Sequence, residues 1–350
     1  LDSYRAPSQR FSPSDFPAAP AGWNFFCTER ELLQGSVGIV YADRRLAGFR
    51  TRSGRIGVVD AYCPHMGADL AMGRVVDECL ECPFHNWQFA VDGKCSAIPR
   101  TSTIPAFARQ RSYPTALRNG LVFFWNGARA LYPLPFFEGL EAEDCVWAGP
   151  LHFRLACPWY LVGANCFDTQ HLYSVHEREL LAPPVVWSIG EHALASQTVA
   201  RVGNGRWYDR FIRVVSGPEA TMTAINWSGS LVLVSAQLKR TTTYGMVSLR
   251  PLAERETLVQ IFAWLPRRHS RALPVLDSLS ASIRLRLIGQ FLKDDAALLN
   301  NIRSGILNLV EADGELARYF EWISGSACNT GEHRGCVDGD FDPMRIGVNR

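Results

Sequence analysis

The chain has 350 residues, 47% hydrophobic and 20% charged, with a formal net charge of +2. That length and apolar content bury a full core in one or two domains, so disorder is excluded as the main state. The near-neutral balance excludes a strongly basic nucleic-acid binder, and no apolar run approaches the roughly 18 residues of a membrane span.

The ten cysteines are too few for a disulfide scaffold, and two of them stand beside histidines at metal spacing. This points to a reducing, cytoplasmic setting. The first residues, Leu1-Asp2-Ser3-Tyr4, show no basic-then-apolar leader pattern. Asn226-Trp227-Ser228 matches a glycosylation acceptor, a triplet that arises by chance.

Residues 1–22, rich in Pro, Ser and Ala, read as an arm. A small all-β domain is expected over 23–130, with short apolar strands at 37–41, 46–51, 56–60 and 121–125. Asp92-Gly93 is a hairpin signal within it. Tyr132-Pro133-Leu134-Pro135 marks the boundary with a second domain over 131–323.

In that domain a helix is expected over 161–180, ended by Pro183-Pro184. Gly203-Asn204-Gly205 reads as a hairpin. Stretches 207–215, 220–227, 231–239, 245–250 and 257–265 read as consecutive strands of an antiparallel sheet. A long amphipathic helix follows over about 278–302, with Ile283, Leu287, Ile288, Phe291, Leu292, Leu298, Leu299 and Ile302 at helical spacing. The tail, 324–350, is Gly- and Asp-rich and reads as loosely ordered. The expected fold class is α+β.

The strongest signal is Cys63-Pro64-His65-Met66-Gly67 followed by Cys82-Pro83-Phe84-His85-Asn86-Trp87. Each loop offers one thiolate and one imidazole. Two sulfurs and two nitrogens suit one zinc, or a [2Fe–2S] cluster with two Cys on one iron and two His on the other. Neutral imidazoles there raise the potential above that of an all-Cys cluster. Zinc ribbons repeat C-x-x-C knuckles, and only Cys79-Leu80-Glu81-Cys82 has that spacing. The prolines after Cys63 and Cys82, with Gly67, suit tight turns that aim N–H groups at bridging sulfides. The pattern therefore favours a Rieske cluster. Cys79 and Cys95 have no His at ligand spacing and read as small buried residues.

A second constellation runs from Asn165 through Asp168 and His171 to His176. Two His with a nearby carboxylate suggest a mononuclear non-haem Fe(II) site with open positions. At about 100° per residue, His171 lies some 60° from Asp168 and His176 some 80° to the other side, so the helix must end or bulge near His176. Asp168, between them, suits a partner that orients an imidazole.

The carboxylate ligand then comes from elsewhere. Asp295 lies on the apolar stripe of the long helix, while Asp294 is turned about 100° away. A carboxylate on a buried face needs a partner; a metal is favoured, with Arg284 or Arg303 as the bland alternative. His152, His192, His269 and His333 have no metal-like neighbours. No G-x-G-x-x-G or phosphate loop is present, so electrons must arrive from another protein.

The two constellations, in this order, resemble the α-subunits of Rieske non-haem iron oxygenases, over about residues 23–322. The resemblance implies that Cys63, His65, Cys82 and His85 bind the cluster, that His171, His176 and Asp295 bind iron, and that Asp168 links the two centres. It implies a helix-grip catalytic domain, an antiparallel sheet with a long C-terminal helix. It also implies a head-to-tail homotrimer in which Asp168 touches His171 of its own chain and His85 of the neighbour.

Asn165, three before Asp168, looks like the monooxygenase and demethylase branches. The run 82–98 is similar to 3-ketosteroid 9α-hydroxylase, cholesterol 7-desaturase and aminopyrrolnitrin oxygenase, an arylamine N-oxygenase; Asn300, five after Asp295, looks like the last. Asn86 departs from the Gly that many members carry, but Asn tolerates positive φ best among non-Gly residues.

The expected function is therefore a terminal oxygenase. It would use O₂ and electrons from a ferredoxin or its reductase, with NAD(P)H acting only through that separate reductase. The substrate would be a small, mostly apolar, aromatic or polycyclic molecule. Trp207, Tyr208, Phe211, Trp227, Phe262 and Trp264 are candidate substrate contacts. Desaturation and demethylation need the same metals. A Rieske electron carrier without catalysis needs only the first 130 residues or so, and a zinc-stabilised binding protein would be colourless.

Overall fold

Short β-rich segments separated by turn residues fold into small sheets in the first third of the chain, and longer strands build one large sheet in the rest. The computed structural model describes residues 9–267, 274–303 and 305–325. The first part contains β1 (Gln9–Phe11), β2 (Trp23–Thr28), the helical turn α1 (Glu29–Leu32), β3 (Val37–Tyr41), β4 (Arg44–Arg50), β5 (Ile56–Asp60), β6 (Arg74–Val76), β7 (Cys79–Glu81), β8 (Gln88–Phe89), β9 (Cys95–Ala97), β10 (Ser112–Tyr113), β11 (Thr115–Arg118) and β12 (Leu121–Trp125). Strands β2 to β12 form three sheets, ordered β10-β5-β4-β3, β11-β12-β2 and β6-β7-β8-β9. The β8–β9 turn closes at Gly93, with φ +79°, where a Cβ would lie 2.2 Å from the Gln110 carbonyl oxygen. Only glycine fits there.

The second part contains β13 (Cys145–Leu155), α2 (Trp159–Ala164), α3 (Thr169–Ser174), β14 (Glu179–Leu180), β15 (Val185–Ile189), β16 (Ala193–Arg201), α4 (Trp207–Ser216), β17 (Glu219–Trp227), β18 (Leu231–Leu238), β19 (Thr241–Ala253), β20 (Glu256–Pro266), α5 (Pro274–Leu299), β21 (Leu307–Leu309) and α6 (Gly314–Gly325). One antiparallel sheet runs β13-β20-β19-β18-β17-β16-β14, with β15 also paired to β16. Helix α5 packs against β13 and β20, where Gly289 leaves room for Leu151. This is the expected α+β helix-grip arrangement.

The two parts share a core. Phe25 and Phe123 of the small sheets pack with Phe262, Trp264 and Leu231 of the large one, and the Phe25 and Phe262 rings meet edge to face at 4.9 Å.

Several elements differ from the sequence expectation. Residues 9–16 of the expected arm pack on the second part: β1 pairs with β21, and Phe16 stacks on Tyr160 at 4.0 Å, while residues 1–8 lie outside the described residues. The helix expected over 161–180 is broken into α2 and α3, because Phe167 turns in to stack on Tyr319 at 4.8 Å and Asp168 caps a new helix with its carboxylate. Stretch 207–215 is the helix α4. Its aromatic and β-branched content reads as strand, but burial of Tyr208, Asp209 and Ser216 on one side sets a helical period. Gly203-Asn204-Gly205 is consequently a strand-to-helix connection. Strands β13, β15 and β16 went unpredicted. Asn226 is buried, so it is no glycosylation acceptor. Ser324 and Gly325 close α6; the rest of the expected tail, 326–350, lies outside the described residues, as do His269 and His333.

Candidate metal centres and substrate cavity

Two loops of matching geometry face each other in the first part. In one, Cys63 N–H donates to Ala68 O and Gly67 N–H to Cys63 O, both at 2.9 Å. In the other, Cys82 N–H donates to Trp87 O at 2.8 Å and Asn86 N–H to Cys82 O at 3.1 Å. Gly67 and Asn86, each four after its cysteine, take φ of 74° and 58°. Asn86 thus performs the left-handed turn that glycine performs in the first loop.

The cysteines are buried, and burial, partly opposed by the His65 main chain, pushes the Cys63 thiol up to about 11. The His65 and His85 rings stand 4.6 Å apart, and His65 stacks on Trp87 at 4.6 Å. Two buried thiols beneath two outward imidazoles are a donor set that fits a [2Fe–2S] cluster. Cys95 is buried beside this core, as expected, whereas Cys79 is only half-buried and lies 3.1 Å from Ser96 Oγ.

In the second part, donor atoms of His171, His176 and Asp295 all lie within 4.8 Å of one another. His176 and Asp295 are 1% and 5% exposed. His176 Nε2 and Asp295 Oδ1 approach to 2.7 Å without the alignment of a hydrogen bond, and neither atom has another partner among the described residues. Buried polar atoms left this way are costly unless an ion joins them, so the three residues fit a metal. The bland alternative fails: Arg303 is exposed and Arg284 bonds Thr241 Oγ1 at 2.6 Å. Asp294 points away, as its helical angle requires, and pairs with Arg206.

The profile of the Rieske [2Fe-2S] domain matches residues 22–108. The chain is 33% identical to cholesterol 7-desaturase of Ciona intestinalis over 52% of this chain and 42% of that protein. It is 31% identical to the oxygenase component of 3-ketosteroid-9-alpha-monooxygenase of Mycobacterium tuberculosis, over 52% and 48%. The aligned stretches span less than half the length of these relatives. Residues 22–108 are a Rieske [2Fe-2S] domain, and about half of the chain is similar to these Rieske oxygenases. Its fold is that of dicamba monooxygenase bound to 3,6-dichlorosalicylic acid, with a TM-score of 0.67 at 20% identity over 89% of this chain and 98% of the other.

Asp168 sits where α3 begins. Its Oδ1 accepts the N–H groups of Gln170 and His171 at 3.1 Å. The expected bond from its carboxylate to the His171 ring is replaced: His171 Nδ1 lies 2.6 Å from the Asp168 main-chain oxygen, and the carboxylate Oδ2 is 4.0 Å away. Oδ1 is committed to the helix cap, which leaves Oδ2 outside it. A carbonyl only accepts, so Nδ1 carries the proton and Nε2 is free for a metal. Asn165 ends α2 and lines the cavity beside His171.

Two supporting residues escaped the sequence reading. Arg178 makes a buried ion pair with Asp209 at 2.6 Å and holds the His176 carbonyl. Phe291 stacks on His176 at 3.8 Å. An arginine two residues after a ligand is the only sequence signal, and it does not reveal burial.

A cavity of about 690 Å³ opens beside the triad. It lies between the inner sheet face, including Ala224, Val247 and Val259, and α5, including Leu287 and Phe291. It runs from Asp295 to Leu276, which at 1.5 Å per residue is about 28 Å along α5. Tyr208 and Phe211 line it as expected. Trp207 does not, being 65% exposed, and Trp227, Phe262 and Trp264 are held in or against the shared core. Among the described residues no helix is long and apolar enough to cross a membrane.

Proposed function

We propose that the chain is the terminal component of a monooxygenase that takes single electrons at the Cys63/His65/Cys82/His85 cluster and uses them, with O₂, at a mononuclear Fe(II) held by His171, His176 and Asp295. The observation that carries this reading is the buried triad opening on one end of a long apolar cavity, in a chain that also bears the cluster loops. A bound Fe(II) of this ligand type supplies O₂ activation next to substrate.

The chain's own residues do the rest. The Asp168 carbonyl fixes the His171 tautomer, the Arg178 guanidinium fixes the His176 main chain, and the apolar walls exclude water and orient the substrate. The cavity's length and lining suit an apolar aromatic or polycyclic molecule, in keeping with the steroid- and sterol-named relatives.

Exposed Tyr62, Met66, Phe84 and Phe107 surround the cluster loops. They support docking of a ferredoxin or reductase and of a neighbouring subunit in a homotrimer, where Asp168 would reach the neighbour's cluster. In that arrangement Asp168 and Asn165 act in electron delivery. The domain division 23–130 and 131–323, and a cytoplasmic setting, belong to the same reading.

The test is mass spectrometry after incubation of arylamine, steroid and phenolic candidates with ¹⁸O₂ and a surrogate reductase. Label in product carries the proposal. A protein that cycles its cluster but binds no mononuclear iron and labels nothing is an electron carrier instead.

A further inference from the structure

Helix α4 has two apolar faces, and the fold uses one. At about 100° per residue, Tyr208, Ile212 and Ser216 turn inward, whereas Trp207, Phe211, Val214 and Val215 fall in a separate arc of about 100°. The second arc is exposed; Val214 is 79% so. Helix α5 repeats the pattern at its start. Val275, Leu276, Leu279 and Ile283 share one arc and are exposed, Val275 by 74%. Phe211 and Val215 line the same cavity as Leu276, Leu279 and Ile283, so the two stripes are sides of one rim. That rim lies at the far end of α5 from Asp295. Exposed apolar residues concentrated around a cavity mouth mark an interaction surface, unlike singly scattered ones.

Cations border it. Arg210 donates to Asn204 O, Arg213 to Val202 O and Arg240 to Val215 O, while Lys239 lies against Gly217. Main-chain carbonyls hold the three arginines, and none of the four side chains forms an ion pair among the described residues. The acids of these two helix segments are buried: Asp209 is paired with Arg178, and Asp277 is 9% exposed. An apolar ridge with Trp and Phe beside unneutralised Arg and Lys is the pattern of an interfacial helix on anionic lipid. A two-fold contact of the rim with a second copy would instead bring cations to cations.

We infer that α4 and the start of α5 dock on an anionic lipid surface, and that lipophilic substrate passes from the bilayer into the cavity without crossing water. The passage rests on the oxygenase reading; the docking does not.

Co-sedimentation of the full, metal-loaded chain with phosphatidylcholine vesicles, with and without phosphatidylglycerol, tests the docking in the absence of substrate. The wild type should sediment with the mixed vesicles and release at high salt. Trp207→Ser/Val214→Ser/Val275→Ser, which changes no residue lining the cavity, should stay in the supernatant with its melting temperature kept. Arg210→Gln/Lys239→Gln should bind about fivefold more weakly per cation removed. Quenching of wild-type fluorescence by brominated lipid, reduced in Trp207→Phe, gives the same answer without removing apolar bulk. Absence of wild-type binding, equal binding by the triple variant, or a triple variant that only changes the oligomeric state in light scattering overturns the inference. Vesicle binding without any oxygenated product would sink the oxygenase reading and leave the docking standing.

Discussion

Arg178 donates to the main-chain oxygen of His176, two residues before it, at 2.9 Å. The same guanidinium forms two bonds to Asp209, at 3.1 and 2.6 Å, and lies 5.4 Å over the Phe291 ring, which also stacks on the His176 imidazole. His176 is thus held through both its backbone and its ring.

This clamp predicts a separation of stability from metal binding. Arg178→Met alone leaves Asp209 as an uncompensated buried charge and should cost about 3–5 kcal/mol. Arg178→Met/Asp209→Leu removes both charges and should recover most of the melting temperature. Affinity for Fe(II), read by titration, should stay roughly 10- to 100-fold weaker in the double variant. If iron affinity returns with stability, the pair is structural only.

Replacing His171, His176 or Asp295 with Ala should remove mononuclear iron while leaving the reduced cluster's paramagnetic spectrum intact. Asp294→Ala breaks only the pairing with Arg206 and should retain most of the iron. An Asp294 variant that loses iron while Asp295→Ala keeps it would reverse the assignment.

For Asp168, cap and electron path separate by substitution. Asn caps helices about as well as Asp, so Asp168→Asn should keep the fold, both metals and the wild-type oligomeric state. It should nonetheless lose most turnover, and in single turnover its prereduced cluster should stay reduced on addition of substrate and O₂. Asp168→Ala should also lose about 1 kcal/mol of stability with the cap. Cluster oxidation at the wild-type rate in Asp168→Asn would take Asp168 off the path.

Gly245 lines the cavity on β19, and a Cβ there would make its nearest contacts with Val234 and Ile288, at 3.9–4.0 Å. Gly245→Val should therefore narrow the cavity without strain and stabilise the strand by about 0.5–1 kcal/mol. Product assays should show kcat/KM falling for bulky substrates and holding for small ones, with iron content unchanged. Uniform loss across substrate sizes would mean that Gly245 does not set the cavity's width.

What the sequence by itself determined is the chemistry that spacing encodes. Cys63/His65 and Cys82/His85 lie within single turns, so their geometry is local. Asp295 was separable from Asp294 because a helix imposes a fixed angle between neighbours. The break near His176 followed from the same angle, since two His on an unbroken helix would point apart. Tertiary structure decided what depends on partners distant in the chain. Stretch 207–215 became a helix because Asp209 meets Arg178, a contact across 31 positions that no local propensity reports. Asp168 turned its carboxylate to the cap because Phe167 is drawn into the core by Tyr319, which breaks the helix just ahead of it. Phe262 and Trp264 left the substrate site for the shared core, because the small sheets needed apolar cover that only the folded chain could assign.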